Sequence, residues 1–102
     1  MSAPSIRTGL SSSVTQSLRD AIAPFKQVRT VYLFGSRARG DWTPRSDIDV
    51  AIDAPGMNAS EFAQLWNVVD ALPIVFPLDC VWLQALESAP LKTMIQRDGV
   101  VL

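Results

Sequence analysis

A chain of 102 residues, 48% hydrophobic and 19% charged, holds enough apolar material for one modest core and no second one. Histidine is absent and Cys80 is the only cysteine, which excludes Ser-His-Asp and Cys-His nucleophiles, His-ligated metals, zinc ribbons and an internal disulfide. The net charge of −1 hides an uneven split, with seven Arg and Lys against two acids in residues 1–45 and two against eight in residues 46–102. That balance does not describe a general nucleic-acid binder, and it leaves carboxylates, guanidinium groups, hydroxyls and backbone amides for chemistry.

Residues 1–10 read as a flexible arm ahead of a single domain over 11–102. No stretch approaches the roughly 18 apolar residues of a spanning helix, and the polar, Ser-rich start lacks the apolar core of an export signal. With one free cysteine, the expectation is a cytoplasmic protein that makes no use of a membrane. Ser11, Ser12 or Ser13 can cap a first helix whose stripe is Val14, Leu18, Ala21 and Ile22, with Pro24 at its end. Val28 to Phe34 is β-branched and aromatic and predicts a buried strand, closed by Gly35-Ser36. A short helical turn over Ser36 to Gly40 and a loop around Pro44 lead to a second strand, Ile48 to Asp53. Asn58 and Glu61 form a capping box for a helix with Phe62, Leu65, Trp66, Val69 and Leu72 on one face. A third strand follows at Leu78 to Leu83, then a helix over Ser88 to Arg97 with Pro90 near its start, and an apolar tail Val100-Val101-Leu102. The order predicts an α/β domain, a small mixed sheet flanked by helices.

Three features point to chemistry. Gly35-Ser36 ends a buried strand, where glycine allows a sharp turn and a close approach, and the serine adds a hydroxyl donor to amides that can face an anion. Asp47 and Asp49 stand two residues apart, on one face of a strand, where their charges repel and a hard divalent cation would relieve them. Asp79 lies inside the apolar run Leu78-Asp79-Cys80-Val81-Trp82, and joins the pair if the third strand lies beside the second. Asp53 is a rival on the same face but at the far end of the strand. Trp66, Trp82 and Cys80 read as core, and Trp42 as either a loop cap or a surface for stacking a base or a partner.

The run Phe34-Gly35-Ser36-Arg37-Ala38-Arg39-Gly40-Asp41, followed by Ser46-Asp47-Ile48-Asp49-Val50, resembles the signature of the minimal nucleotidyltransferases of the DNA polymerase β-like superfamily: Gly-Ser, ten residues, then Asp-x-Asp. The resemblance covers roughly residues 14–102. It implies the polymerase β-like nucleotidyltransferase fold, with Gly35 and Ser36 on the phosphates of a nucleoside triphosphate. Asp47 and Asp49 match the family's metal-binding pair, and Asp79 its third carboxylate, which helps activate the acceptor hydroxyl. Arg37 and Arg39 stand where they can reach phosphate or hold the loop together. The implied reaction uses two Mg²⁺ ions and ATP, and transfers a nucleoside monophosphate with release of pyrophosphate.

Family members this short resemble MntA-type antitoxins, whose partner is an all-helical protein, either an HEPN-type ribonuclease toxin or a substrate-binding subunit. That implies transfer of AMP to a tyrosine of the toxin. The alternative is a nucleotide-binding subunit that neutralises or assists its partner by binding alone. The apolar tail is expected to be covered by such a partner or by a second copy of this chain.

Overall fold

The computed structural model describes residues 8–102, so most of the expected N-terminal arm lies outside the described residues. Among the described residues, four strands form one mixed sheet in the order β3-β2-β1-β4. Strand β1 (Thr30–Phe34) pairs antiparallel with β2 (Ile48–Asp53) on one side and with β4 (Val100–Val101) on the other. Strand β3 (Leu78–Trp82) runs parallel to β2, in the register Ile48↔Leu78, Asp49↔Asp79, Val50↔Cys80.

Helix ends follow local chemistry. The Ser11 hydroxyl accepts the Val14 amide at 3.3 Å and starts α1 (Ser12–Ile22). Asn58 and Glu61 close a reciprocal capping box, at 2.8 and 2.9 Å, at the head of α3 (Ala59–Asp70). Ser88 caps α4 (Ala89–Asp98), and Pro90 occupies its first turn, where no intrahelical donor is needed. Between β1 and β2 lies a four-residue helix, α2 (Ser36–Arg39).

Alternation along the strands sorts the core. Leu33, Ile48, Val50, Ile52 and Cys80 face one side and pack with Leu18 and Ile22 of α1 and Leu65 and Val69 of α3. Phe34 and Ala51 face the other side, with Ile95 of α4 and the half-buried Tyr32, Val81 and Met94. The acids Asp49, Asp53 and Asp79 alternate with the main-core residues, so they belong to the thinner α4 side. Trp66 and Trp82 pack against the main core as expected, Trp82 stacking on Phe62 and donating its indole N–H to the Ala54 carbonyl at 3.0 Å. Cys80 is buried, and desolvation, with the Asp79 charge behind it, pushes its thiol up to about 12, which leaves it unreactive.

Three expectations change. Leu10, assigned to the arm, is 2% exposed and belongs to the main core; its aliphatic side chain fills the interior beneath the sheet, and folding therefore extends N-terminal of residue 11. The third strand ends at Trp82, and Leu83–Ala85 turn as a 3₁₀ helix. The apolar tail needs no second molecule to order it, because Val100 and Val101 pair with Leu33 and Tyr32 as β4, and the Leu102 amide donates to the Val31 carbonyl at 2.9 Å. Only Val101 of this tail stays well exposed.

Candidate active site

The carboxyl end of β1 and the amino ends of β2 and β3 meet at one margin of the sheet, because β1 runs against the other two. Every residue of the sequence motif arrives there or just behind it. Gly35 leaves β1 at φ +76° and ψ −156°, a region essentially open only to glycine, where an L side chain costs roughly 1–3 kcal/mol. A Cβ at Gly35 would also collide with the Asp49 carboxylate. The turn and the acid thus lie against each other, and only glycine leaves room for both. Ser36 follows as the first residue of α2, half-buried.

Asp49 stands on β2 between Phe34 of β1 and Asp79 of β3, level with each. Burial raises its carboxyl above the usual aspartate range, the charges of Asp79 and then Asp47 raise it further, and Arg39 pulls it back. The sheet therefore brings Asp47, Asp49 and Asp79 into mutual range, with Asp47 and Asp79 exposed and Asp49 partly covered. They do not close into a ready-made cage: no group of three acids among the described residues is drawn in to metal-ligating geometry. Asp47 precedes the strand on a loop. The donor set nonetheless fits a hard divalent cation, being three carboxylates beside a glycine cradle, one of them raised first by burial and then by the charges of the other two.

The two arginines separate. Arg39 is at the surface, paired with Asp41 at 3.4 Å and reaching Met94 Sδ of α4 at 3.7 Å, and its charge acts on Asp49. Arg37, of which the sequence allowed either phosphate contact or loop support, shows the second: its side chain is 1% exposed, and it donates to the carbonyls of Ser46 at 3.2 Å and Thr8 at 2.8 Å. The interior placement follows from the 3.6-residue turn, which puts Arg37 and Ala38 on the inner side of α2 and Arg39 on the outer side. Trp42 faces Arg37 at 5.5 Å and covers Gly9, the loop-cap role rather than an open stacking surface. Nothing in the local pattern could have announced the Thr8 contact, which spans 29 residues.

Asp53, the rival acid, is committed elsewhere. It is 6% exposed and accepts from Gln84 at 2.6 Å and from Arg29 at 2.8 and 3.0 Å. Burial raises its carboxyl, but the hydrogen bonds from Gln84 and Arg29 and the Arg29 charge outweigh that, and the net position is below the usual range. A carboxyl lowered by folding adds stability that is complete above the unfolded pKa of about 4 and lost as pH falls through the folded value. Asp53→Asn is thus expected to destabilise the protein at neutral pH and to cost progressively less on acidification, as urea midpoints at neutral and strongly acid pH would show. An undiminished deficit in acid would mean that packing, not charge, holds Asp53.

Residues 16–102 match the family Polymerase beta, Nucleotidyltransferase. A Methanocaldococcus jannaschii protein named "Putative protein adenylyltransferase MJ1379" is 28% identical over 74 residues, which cover 71% of this chain and 74% of that protein. The crystal structure of a toxin-antitoxin with AMP-PNP is similar at a TM-score of 0.58 and 26% identity, over 86% of this chain and 68% of that one. A variant of the toxin-antitoxin MntA-HpeT aligns at a TM-score of 0.54 and 25% identity, over 88% of this chain and 68% of that one. With the family match running from within α1 to the last residue, and the motif lying where the sheet brings its acids together, the chain belongs to the Polymerase beta, Nucleotidyltransferase family.

Proposed function

We propose that this nucleotidyltransferase transfers AMP from ATP, with Mg²⁺, to a tyrosine hydroxyl of an all-helical toxin partner of HEPN type, and thereby acts as a cytoplasmic antitoxin. The observation that carries the reading is the register Asp49↔Asp79 at the sheet margin, with Asp47 in electrostatic range and Gly35 pressed against Asp49. Relatives named as a protein adenylyltransferase and as toxin-antitoxin structures, one with AMP-PNP, support the choice of nucleotide and of acceptor class. No helix among the described residues is long and apolar enough to cross a membrane, which is compatible with this setting.

In this reading Asp47 and Asp49 hold the metal, and the Gly35-Ser36 turn holds the phosphates. Mg²⁺, when bound, offsets the triphosphate charge and lowers the pKa of the attacking hydroxyl. The tyrosine oxygen forms a bond to the α-phosphorus while the bond from that phosphorus to the oxygen bridging the β-phosphate breaks. Pyrophosphate leaves with the electron pair, and Asp79 accepts the hydroxyl proton. Positioning and charge neutralisation suffice for such a step, so a domain without histidine can perform it.

Intact mass measurement of the helical partner after incubation with this chain, ATP and Mg²⁺ tests the proposal, with a gain of one or more AMP units expected. Ser36→Ala should weaken ATP binding by about 1.5–3 kcal/mol in calorimetry, the value of a hydrogen bond to a charged group. A partner that is bound and silenced, yet unchanged in mass, would show neutralisation by binding alone and defeat the catalytic reading.

A further inference from the structure

The geometry points to Arg37 as a positioning residue that sets Asp47, an inference that rests on the nucleotidyltransferase reading above. Arg37 follows the phosphate turn directly, yet its guanidinium points into the protein. One fork nitrogen, Nε, donates to the Ser46 carbonyl at 3.2 Å, and Nη1 donates to the Thr8 carbonyl at 2.8 Å. Phe76 lies under the guanidinium at 4.5 Å and Trp42 faces it at 5.5 Å.

Each of these contacts holds a different segment. Ser46 is the residue before Asp47, so its carbonyl belongs to the peptide unit that carries the Asp47 amide. Trp42 stands in the loop between α2 and β2. Phe76 lies three residues before Asp79, in the approach to β3, and the next residue, Pro77, accepts the Ile48 amide at 2.8 Å. Thr8 leads into Leu10 of the core. One planar side chain therefore ties the phosphate turn, the loop bearing Asp47, the approach to Asp79 and the N-terminal segment into a single body.

Asp47 needs such support. It precedes β2, is exposed, and lies on a loop whose bonds to itself are short-range, from the Ser46 amide to the Thr43 carbonyl at 3.0 Å and from the Thr43 amide to the Ser46 hydroxyl at 2.8 Å. A buried guanidinium is costly, and its hydrogen bonds and ring contacts offset that cost. Here two carbonyls accept from Nε and Nη1 and two rings lie against the group, Nη2 is buried without a partner among the described residues, and burial lowers the pKa below the usual arginine value. Lysine can supply the charge but not a flat fork with two fixed directions between two rings.

The test is a double-mutant cycle read by calorimetric titration of ATP with and without MgCl₂, on the parent chain, Arg37→Lys, Asp47→Asn and the pair. Arg37→Lys is expected to weaken Mg²⁺-dependent ATP binding by about tenfold, or about 1.4 kcal/mol, and to leave metal-free binding unchanged. The double variant should bind no more weakly than Asp47→Asn alone, because Arg37 acts through that carboxylate. Losses that add, or a loss equal with and without metal, would mean that Arg37 touches phosphate or only supports the fold, and would overturn the inference. If Asp47→Asn itself leaves the Mg²⁺ dependence intact, the metal-site reading fails and Arg37 falls with it, an outcome distinct from failure of Arg37 alone. Should Arg37→Lys not fold, Phe76→Leu, which removes one ring and keeps both hydrogen bonds, enters the same cycle, and additivity there overturns the inference equally.

Discussion

Asp49→Asn is expected to lower AMP transfer by about a thousandfold or more, the scale seen when a charge-neutralising group is removed from phosphoryl transfer. Shape is preserved and the charge proposed to hold the cation is lost. The same substitution should leave the fold at least as stable as the parent at neutral pH. The sign follows from the direction of the shift: burial, Asp79 and Asp47 raise the Asp49 carboxyl, so its ionised form is less favoured in the folded chain than in the unfolded one. Removing that charge relieves a cost which the folded protein carries above the usual aspartate pKa. Transfer assayed by partner mass, together with urea unfolding, would show activity and stability moving apart. A variant that lost both would point to Asp49 as scaffold, and one that kept both would remove it from the site.

Gly35→Ala should damage both properties. At φ +76° and ψ −156° an alanine pays roughly 1–3 kcal/mol for backbone alone, and its Cβ collides with the Asp49 carboxylate. Relief requires the acid to swing away or the turn to open, and either motion separates the Gly35-Ser36 turn from Asp49. The expected result is a stability loss of about 2 kcal/mol or more, a fall of about 8–16 °C in melting temperature for a domain of this size, together with loss of Mg²⁺-dependent ATP binding. The combined variant Gly35→Ala with Asp49→Gly is informative, since it removes the collision but not the strained φ. It should recover part of the stability and none of the binding. Full stability in Gly35→Ala alone would show that the turn yields freely and that its tight contact with Asp49 is not required.

Much of this protein was legible residue by residue. Capping at Ser11, Asn58 and Ser88 depends on side chains within three residues of the amides they serve, and the helices begin where those side chains stand. The second strand has the predicted limits because Ile48, Val50 and Ile52 alternate with residues of the opposite face. The same alternation placed Asp49 and Asp53 together on one face before any fold was known. The Gly-Ser turn, its ten-residue spacer and the Asp-x-Asp pair are all contained in fifteen consecutive positions, 35–49, and so could be read as a motif.

What the tertiary structure decided are the pairings between distant residues. Asp79 became a neighbour of Asp49 only when β3 took a parallel register beside β2, and a slip of one position would have turned it to the main core. Asp53 shares a face with Asp49, yet it left the candidate set because Arg29 and Gln84, 24 and 31 residues away, met it at the other end of the strand. Arg37 and Arg39 look alike in sequence, but the turn of α2 sent one under Trp42 and Phe76 and left the other beside the acids. The C-terminal valines read as an uncovered tail until β1 offered them an edge. Local sequence determined where the helices start, which strand residues share a face and which types of donor the site can use, because those properties depend on bonds and spacings a few residues long. Which acid joins the site and which arginine is buried were decided by sheet register and helix docking, because burial and charge depend on neighbours that only the folded chain brings into contact.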